Sequence, residues 1–166
     1  NDALFDAALY LGRAAHGRRH AVILVSDNQG TVRGHAGDGK VIRTALETET
    51  VIYSVRIGSQ PYGGMTFPIW VPGAGSVKKI ARETGGEIID VDRVGSLASA
   101  MAAVINRLKH RYTLGYQTTN KRRDGGFRKI AVRLGEQFKD SPHTYTIYAR
   151  RGYYAPKERT TTRSGS

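Results

Sequence analysis

The chain reads as an α/β fold: half of a doubly wound parallel sheet, three strands with flanking helices, followed by an antiparallel three-stranded β extension. Three observations predict this. Apolar residues recur at helical spacing in stretches that alternate with short β-branched runs, the pattern of parallel strands buried on both faces. From residue 112 the apolar period changes to two. The charge changes near the same place: residues 1 to 106 carry 11 Lys/Arg against 10 Asp/Glu, and residues 107 to 166 carry 15 against 4. The expected boundaries are 1–111 for the α/β unit, 112–156 for the β extension and 157–166 for a tail whose lack of apolar residues predicts disorder.

Taken in order, "DALFDAALYLGRAA" sets Leu4, Ala8, Leu11 and Ala15 on one helical face, with Asp2 as its N-cap and Gly17 as its stop. The run Val22 to Val25 is an interior strand that ends on Ser26 and Asp27. "GKVIRTALETE" is a second helix, and "TVIYSVRIG" at 50–58 a second interior strand. "SVKKIARETGG" places Val77, Ile80, Ala81 and Thr84 together, capped by Ser76 and stopped by Gly85 and Gly86. "EIIDV" is a third strand. "SLASAMAAVINRLKHR" is a helix with Leu97, Ala100, Met101, Val104, Ile105 and Leu108 in register.

In the extension, Tyr112, Leu114 and Tyr116 alternate with polar residues, as do Ile130, Val132 and Leu134, and then Tyr145, Ile147 and Ala149. "RRDGG" between the first two runs is a hairpin signal, because Asp-Gly tolerates the positive φ of tight turns. Three antiparallel strands are expected, with "RGYYAP" as a closing segment.

Composition excludes several chemistries. There is no Cys, so disulfides, zinc–thiolate sites and thiol nucleophiles are out. The five His show no metal-ligand spacing; His16 and His20 are four apart, with Gly17 between them. No apolar run reaches the roughly 20 residues of a membrane helix. The sequence shows no starting Met, no signal peptide and no basic amphipathic presequence, so the chain is expected to be processed, truncated or only partly represented.

In open α/β sheets ligands gather at the carboxyl ends of strands, and Asp27 sits at such an end. From the residues alone it is a ligand or the start of an Asx-turn with Asn28. A phosphoacceptor role lacks the acidic pair and strand-end Lys it needs, and no Ser-His-Asp elbow, phosphate-cradling Gly loop or paired catalytic carboxylates occur. The chain therefore reads as non-enzymatic.

The pieces "ALFDAALYL", "VILVSDNQG", "TVIYSVRIG", "IARETGGEI" and "HRYTLGYQTTNKRRDGGFRKIAVRL…YARRGYYAP" together resemble the second half of a von Willebrand factor A-type domain, and more narrowly the VWFA-related proteins of Acidobacteria. The resemblance spans most of the chain. It implies a sheet of order 3-2-1-4-5-6, of which this chain holds the last three strands. It implies a divalent cation such as Mg²⁺, held at the top of the sheet by three loops, with Asp27 as the third-loop ligand. The first loop's Asp-x-Ser-x-Ser is absent, and Asp2 stands where the second loop's Thr belongs. The metal site, Asp27 with Asp2, is thus incomplete within this chain and needs a further segment to supply the first loop. The resemblance also implies protein ligands and a location outside the cytoplasm, secreted or on the cell surface.

Two further features bear on partners. With strands 1 to 3 missing, the 21–25 strand becomes an edge without Pro or inward charge, to be covered by the domain's own N-terminal half or by further copies of the chain. The connection 60–75, "QPYGGMTFPIWVPGAG", exceeds the usual 2–6 residues. Its Tyr62, Met65, Phe67 and Trp70 either form a partner-binding patch for an unknown protein ligand or fold over that open edge. The basic extension offers an alternative function, polyanion or nucleic-acid binding through Arg122, Arg123, Arg128, Lys129, Arg133, Arg150 and Arg151 with Tyr148, Tyr153 and Tyr154. The plainer reading of those cations is a solvated face that protects the ribbon's edges.

Overall fold

The computed structural model describes residues 1–14, 17–27, 34–57, 74–91, 96–139 and 141–158. Helix α1 (Asp2–Ala14) leads into strand β1 (His20–Ser26). Helix α2 (Asp38–Glu47), β2 (Thr50–Ile57), α3 (Ala74–Thr84), β3 (Ile88–Val91) and α4 (Leu97–Lys109) follow in alternation. The three strands form one parallel sheet in the order β1-β2-β3. The α/β class expected from the sequence is therefore observed.

Burial explains the order. The run Thr50–Val55 of β2 is buried throughout, as a central strand flanked by two neighbours and two helical layers must be. One face of the sheet carries α1, α2 and α3, packed through Leu4, Ala8, Val41, Ala45, Leu46 and Ile80 around Ile52. The other face carries α4, whose Ala100 and Val104 meet Val51, Tyr53, Val55 and Val91. Fully burying a side chain such as Ile52 or Ile80 contributes about 1.5–3 kcal/mol.

Strand β1 pairs with β2 along its whole length, from His20 opposite Thr50 to Ser26 opposite Arg56, and among the described residues no strand pairs with its other side. Its side chains Ala21 to Leu24 are only half-buried, and Val25 is 43% exposed.

Two capping expectations are corrected. Helix α1 begins at Asp2, and the Asp2 carboxylate does not cap it but accepts backbone N–H groups from His35 and Ala36. Helix α3 begins two residues before Ser76, whose hydroxyl instead donates to the Asp38 carboxylate at the start of α2. Both short polar side chains found long-range partners that a local reading does not contain.

The extension also differs from expectation. The runs at 112–116, 130–134 and 145–149 do not form a three-stranded sheet. A two-stranded antiparallel ribbon forms between β4 (Phe127–Lys129) and β5 (Gly152–Tyr154), the segment expected only to close the fold. The Asp-Gly turn is present: the Asp124 carboxylate accepts the Gly126 N–H at 2.8 Å and both-sided contact from Arg128 at 2.8 and 2.9 Å. It steers the chain into β4 rather than pairing 112–116 with 130–134. The mate is chosen by packing, because Phe127 lies against Tyr154 with ring centroids 5.2 Å apart. Gly152 permits this approach, since a Cβ there would stand 2.2 Å from the Phe127 ring and 2.4 Å from the Arg128 carbonyl oxygen. The ribbon runs on past residue 156, where Lys157 bridges Asp124 and the Glu158 N–H donates to the Arg123 carbonyl.

The ribbon is seated on the α/β body at the ends of α2 and α3. The Arg151 N–H donates to the Glu83 carbonyl at 3.1 Å, and the Arg43 guanidinium stacks over Tyr154 at 4.6 Å.

Candidate functional site

The carboxyl end of the sheet comes first, because both acids expected as ligands stand there. Asp27 follows β1 directly and is exposed, and the Ser26 hydroxyl donates to its carboxylate at 3.4 Å. Asn28, its expected turn partner, lies outside the described residues. Asp2 is at the same end, since the 34–36 segment that it holds leads from β1 into α2.

The Asp2 carboxylate accepts the Ala36 N–H at 2.6 Å through one oxygen and the His35 N–H at 3.0 Å through the other, and His35 Nδ1 lies 3.6 Å away. The two backbone donors, Ala36 before His35, hold its pKa below the ordinary 3.8. Mg²⁺ asks for near-octahedral oxygen ligands. Among the described residues no three acid or histidine side chains converge, and both Asp2 oxygens already serve the backbone. The described residues alone do not fit a divalent cation.

The edge of β1 is the second site. Among the described residues no strand pairs with this side of β1, and Ala21 to Val25 there include neither Pro nor a charged side chain. Among the described residues, three helices cover one face of the sheet, whereas α4 alone covers the other and packs mainly over β2 and β3. Ile23 reaches the α4-side core only from its margin. Tyr62, Met65, Phe67 and Trp70 lie outside the described residues.

The basic residues of the extension differ in their pairing. Arg128 is paired with Asp124, and Arg150 stands 3.5 Å from Glu49. Arg122, Arg123, Lys129, Arg133 and Arg151 are exposed and make no ion pair among the described residues. Tyr153 is half-buried, and its ring meets Tyr116 edge-on at 6.2 Å. The hydroxyl of Tyr153 ionises below the ordinary 10.0, first through its hydrogen bond with Thr118 and then with Tyr116. Tyr116 is correspondingly raised by that same Tyr153 contact. Tyr148 is exposed, and Tyr154 lies half-buried under Arg43.

A cleft of about 390 Å³ opens between the end of α2 and β5, lined among others by Arg43, Glu47, Glu49, Arg150, Tyr153 and Tyr154. Sequence reasoning missed it, because its walls come from segments about a hundred residues apart. Four of its charges are paired, Arg43 with Glu47 at 2.8 Å and Arg150 with Glu49, and Lys157 lines it without an ion pair among the described residues. That arrangement seats the ribbon against the end of α2.

No family model matches the chain, and no curated protein matches it. Among solved structures it is similar to the crystal structure of an uncharacterized membrane spanning protein from Vibrio fischeri, at 21% identity and a TM-score of 0.44. The match covers 57% of this chain and 49% of that one, so the chain spans about half the length of that protein. Among the described residues of this chain, no helix is long and apolar enough to cross a membrane.

Proposed function

We propose that the chain is a non-enzymatic protein-binding and assembly module of von Willebrand factor A type, which completes its sheet along β1. The observation that carries this reading is the side of β1 that no strand pairs among the described residues: Ala21 to Val25 are uncharged and half-exposed there, and among those residues the helical layer is thinner on the α4 face. Such an edge pairs with another strand unless something blocks it. The strand comes from a second copy of the chain or from a separate half-domain. A cation enters this reading only through ligands that a partner brings, with Asp27 as this chain's contribution. The resemblance to von Willebrand factor A-type domains supports a location for such a module outside the cytoplasm.

Native mass spectrometry of the wild type and of Val25→Lys tests it. The expected result is multiples of 18.2 kDa for the wild type and a single chain for the lysine variant, with unchanged circular dichroism. A different polypeptide retained through purification makes that polypeptide the partner, and Mg²⁺ binding is then measured on the complex. A wild-type chain that stays monomeric at all concentrations and retains no second polypeptide overturns the reading.

The five exposed cations of the extension support a second reading, polyanion binding. Its signature is an affinity for single-stranded DNA that falls steeply with salt, by a slope of about 0.7 per phosphate contacted.

A further inference from the structure

A second apolar surface lies remote in sequence from β1. Residues 112–117, "YTLGYQ", are neither helix nor strand, and among the described residues no backbone hydrogen bond uses their N–H or C=O groups. Tyr112 is 91% exposed and Leu114 72%, while Tyr116 is fixed against Tyr153 of β5. The same holds at 131–134 and 145–149, where Leu134, Tyr145 and Ile147 are exposed and the backbone makes no bonds of this kind among the described residues. Three alternating apolar runs thus lie beside a ribbon of only two short strands. Their side chains have the pattern of a sheet face and their backbones have no ladder.

Charge identifies the occupant. Residues 111–158 carry 11 Lys/Arg against 4 Asp/Glu, and two of those acids, Asp124 and Glu136, are paired with Arg128 and Lys139. A second copy docking on this face brings two cationic ribbons together within a Debye length of about 8–10 Å, where they repel. An acidic chain is attracted. Nucleic acid meets the charge, but it has nothing to place against the aliphatic Leu114, Leu134 and Ile147. We propose that the extension captures an extended acidic peptide with apolar residues at every second position, adding it as a strand along 112–117. Its backbone satisfies the free N–H and C=O groups, its apolar side chains cover Leu114 and its neighbours, and its carboxylates meet the exposed arginines.

Fluorescence anisotropy with the full chain tests this. The probes are a labelled twelve-residue peptide alternating Val and Glu, one alternating Ser and Glu, and a twenty-nucleotide oligo-dT. The Val–Glu peptide is expected to bind at least about tenfold more tightly than the other two, and Leu114→Asp to lose at least about tenfold in affinity. Circular dichroism and thermal melting establish that the variant folds. Hydrogen exchange is expected to show new amide protection at 112–117 on binding. Equal, steeply salt-dependent binding of all three probes makes the surface a general polyanion binder and overturns the proposal. So does protection that appears only at 20–26, or absence of binding. Self-association of the free chain that Leu114→Asp abolishes and Val25→Lys does not makes a second copy the occupant and overturns it as well.

Discussion

Asp2 reaches across 34 positions to hold Ala36, its carboxylate accepting that residue's N–H at 2.6 Å while its second oxygen takes the N–H of His35. A side chain at the start of α1 thereby fixes the approach to α2. The folded carboxylate has a pKa below the ordinary 3.8, chiefly because these two amides stabilise its charge. Between the folded and unfolded values the unfolded chain binds more protons, so stability rises with pH there. The contribution is fully present above about 3.8 and fades as pH falls below it toward the folded value.

Asp2→Ala is accordingly expected to lower Tm by about 3 °C at pH 7, a shift of the size expected for a lost backbone clamp. The gap to wild type narrows as melts are repeated down to pH 3. A difference independent of pH across that range means that the carboxylate's charge is not what holds the loop.

Thr84 offers a sharper test of the core. Its buried hydroxyl accepts the Ile52 N–H at 3.2 Å and donates to the Ile80 carbonyl at 2.9 Å. The β2–β3 ladder begins only at Ser54, so Thr84 extends the bonding of β2 beyond the reach of β3. Thr84→Val keeps the shape and strands a buried donor, at a cost of about 1–3 kcal/mol. Thr84→Ser is expected to recover most of that loss in urea denaturation. Equal losses in both variants mean that the methyl group, not the hydroxyl, carries the effect.

Periodicity made the α/β unit legible, because helices and parallel strands are decided by local spacing and burial. The helix with Val77, Ile80, Ala81 and Thr84 on one face is buried on that face as read. The extension was not legible to the same depth. Its three alternating runs satisfy a strand pattern equally well, and pairing was settled by non-local facts: the ring contact of Phe127 with Tyr154 and the missing side chain at Gly152. For the same reason Asp2 and Ser76 read as local caps, although their partners lie more than thirty residues away. The cleft between α2 and β5 depends on the seating of the ribbon, which no single segment encodes.

Gly85 controls that seating. It sits at φ +86°, and a Cβ there would stand 2.6 Å from the Arg150 nitrogen and 2.9 Å from the Ala149 carbonyl carbon. Gly85→Ala therefore combines roughly 1–2 kcal/mol of left-handed backbone strain with a clash against the ribbon's own main chain. Limited proteolysis is expected to cut within 111–158 at least about tenfold faster in this variant, while the 1–110 body keeps its helical signal. Unchanged cleavage means that the close approach at Gly85 does not govern how the ribbon is held.

Glu49 sets two effects of similar size against each other. It follows α2 at φ 54°, the left-handed position where helices favour Gly, and its carboxylate lies 3.5 Å from the Arg150 guanidinium. The exposed ion pair contributes about 0–1 kcal/mol and weakens with salt. Relief of the left-handed strain is worth roughly 1–2 kcal/mol, less about 0.5–1 for the added freedom of glycine in the unfolded chain. Glu49→Gly is thus expected to lie near zero at low salt and to turn stabilising, by up to about 1.5 kcal/mol, as the ion pair is screened. Urea melts at two salt concentrations check this. If the variant instead loses stability at high salt too, the bond from Glu49 to the ribbon matters more than the backbone it strains.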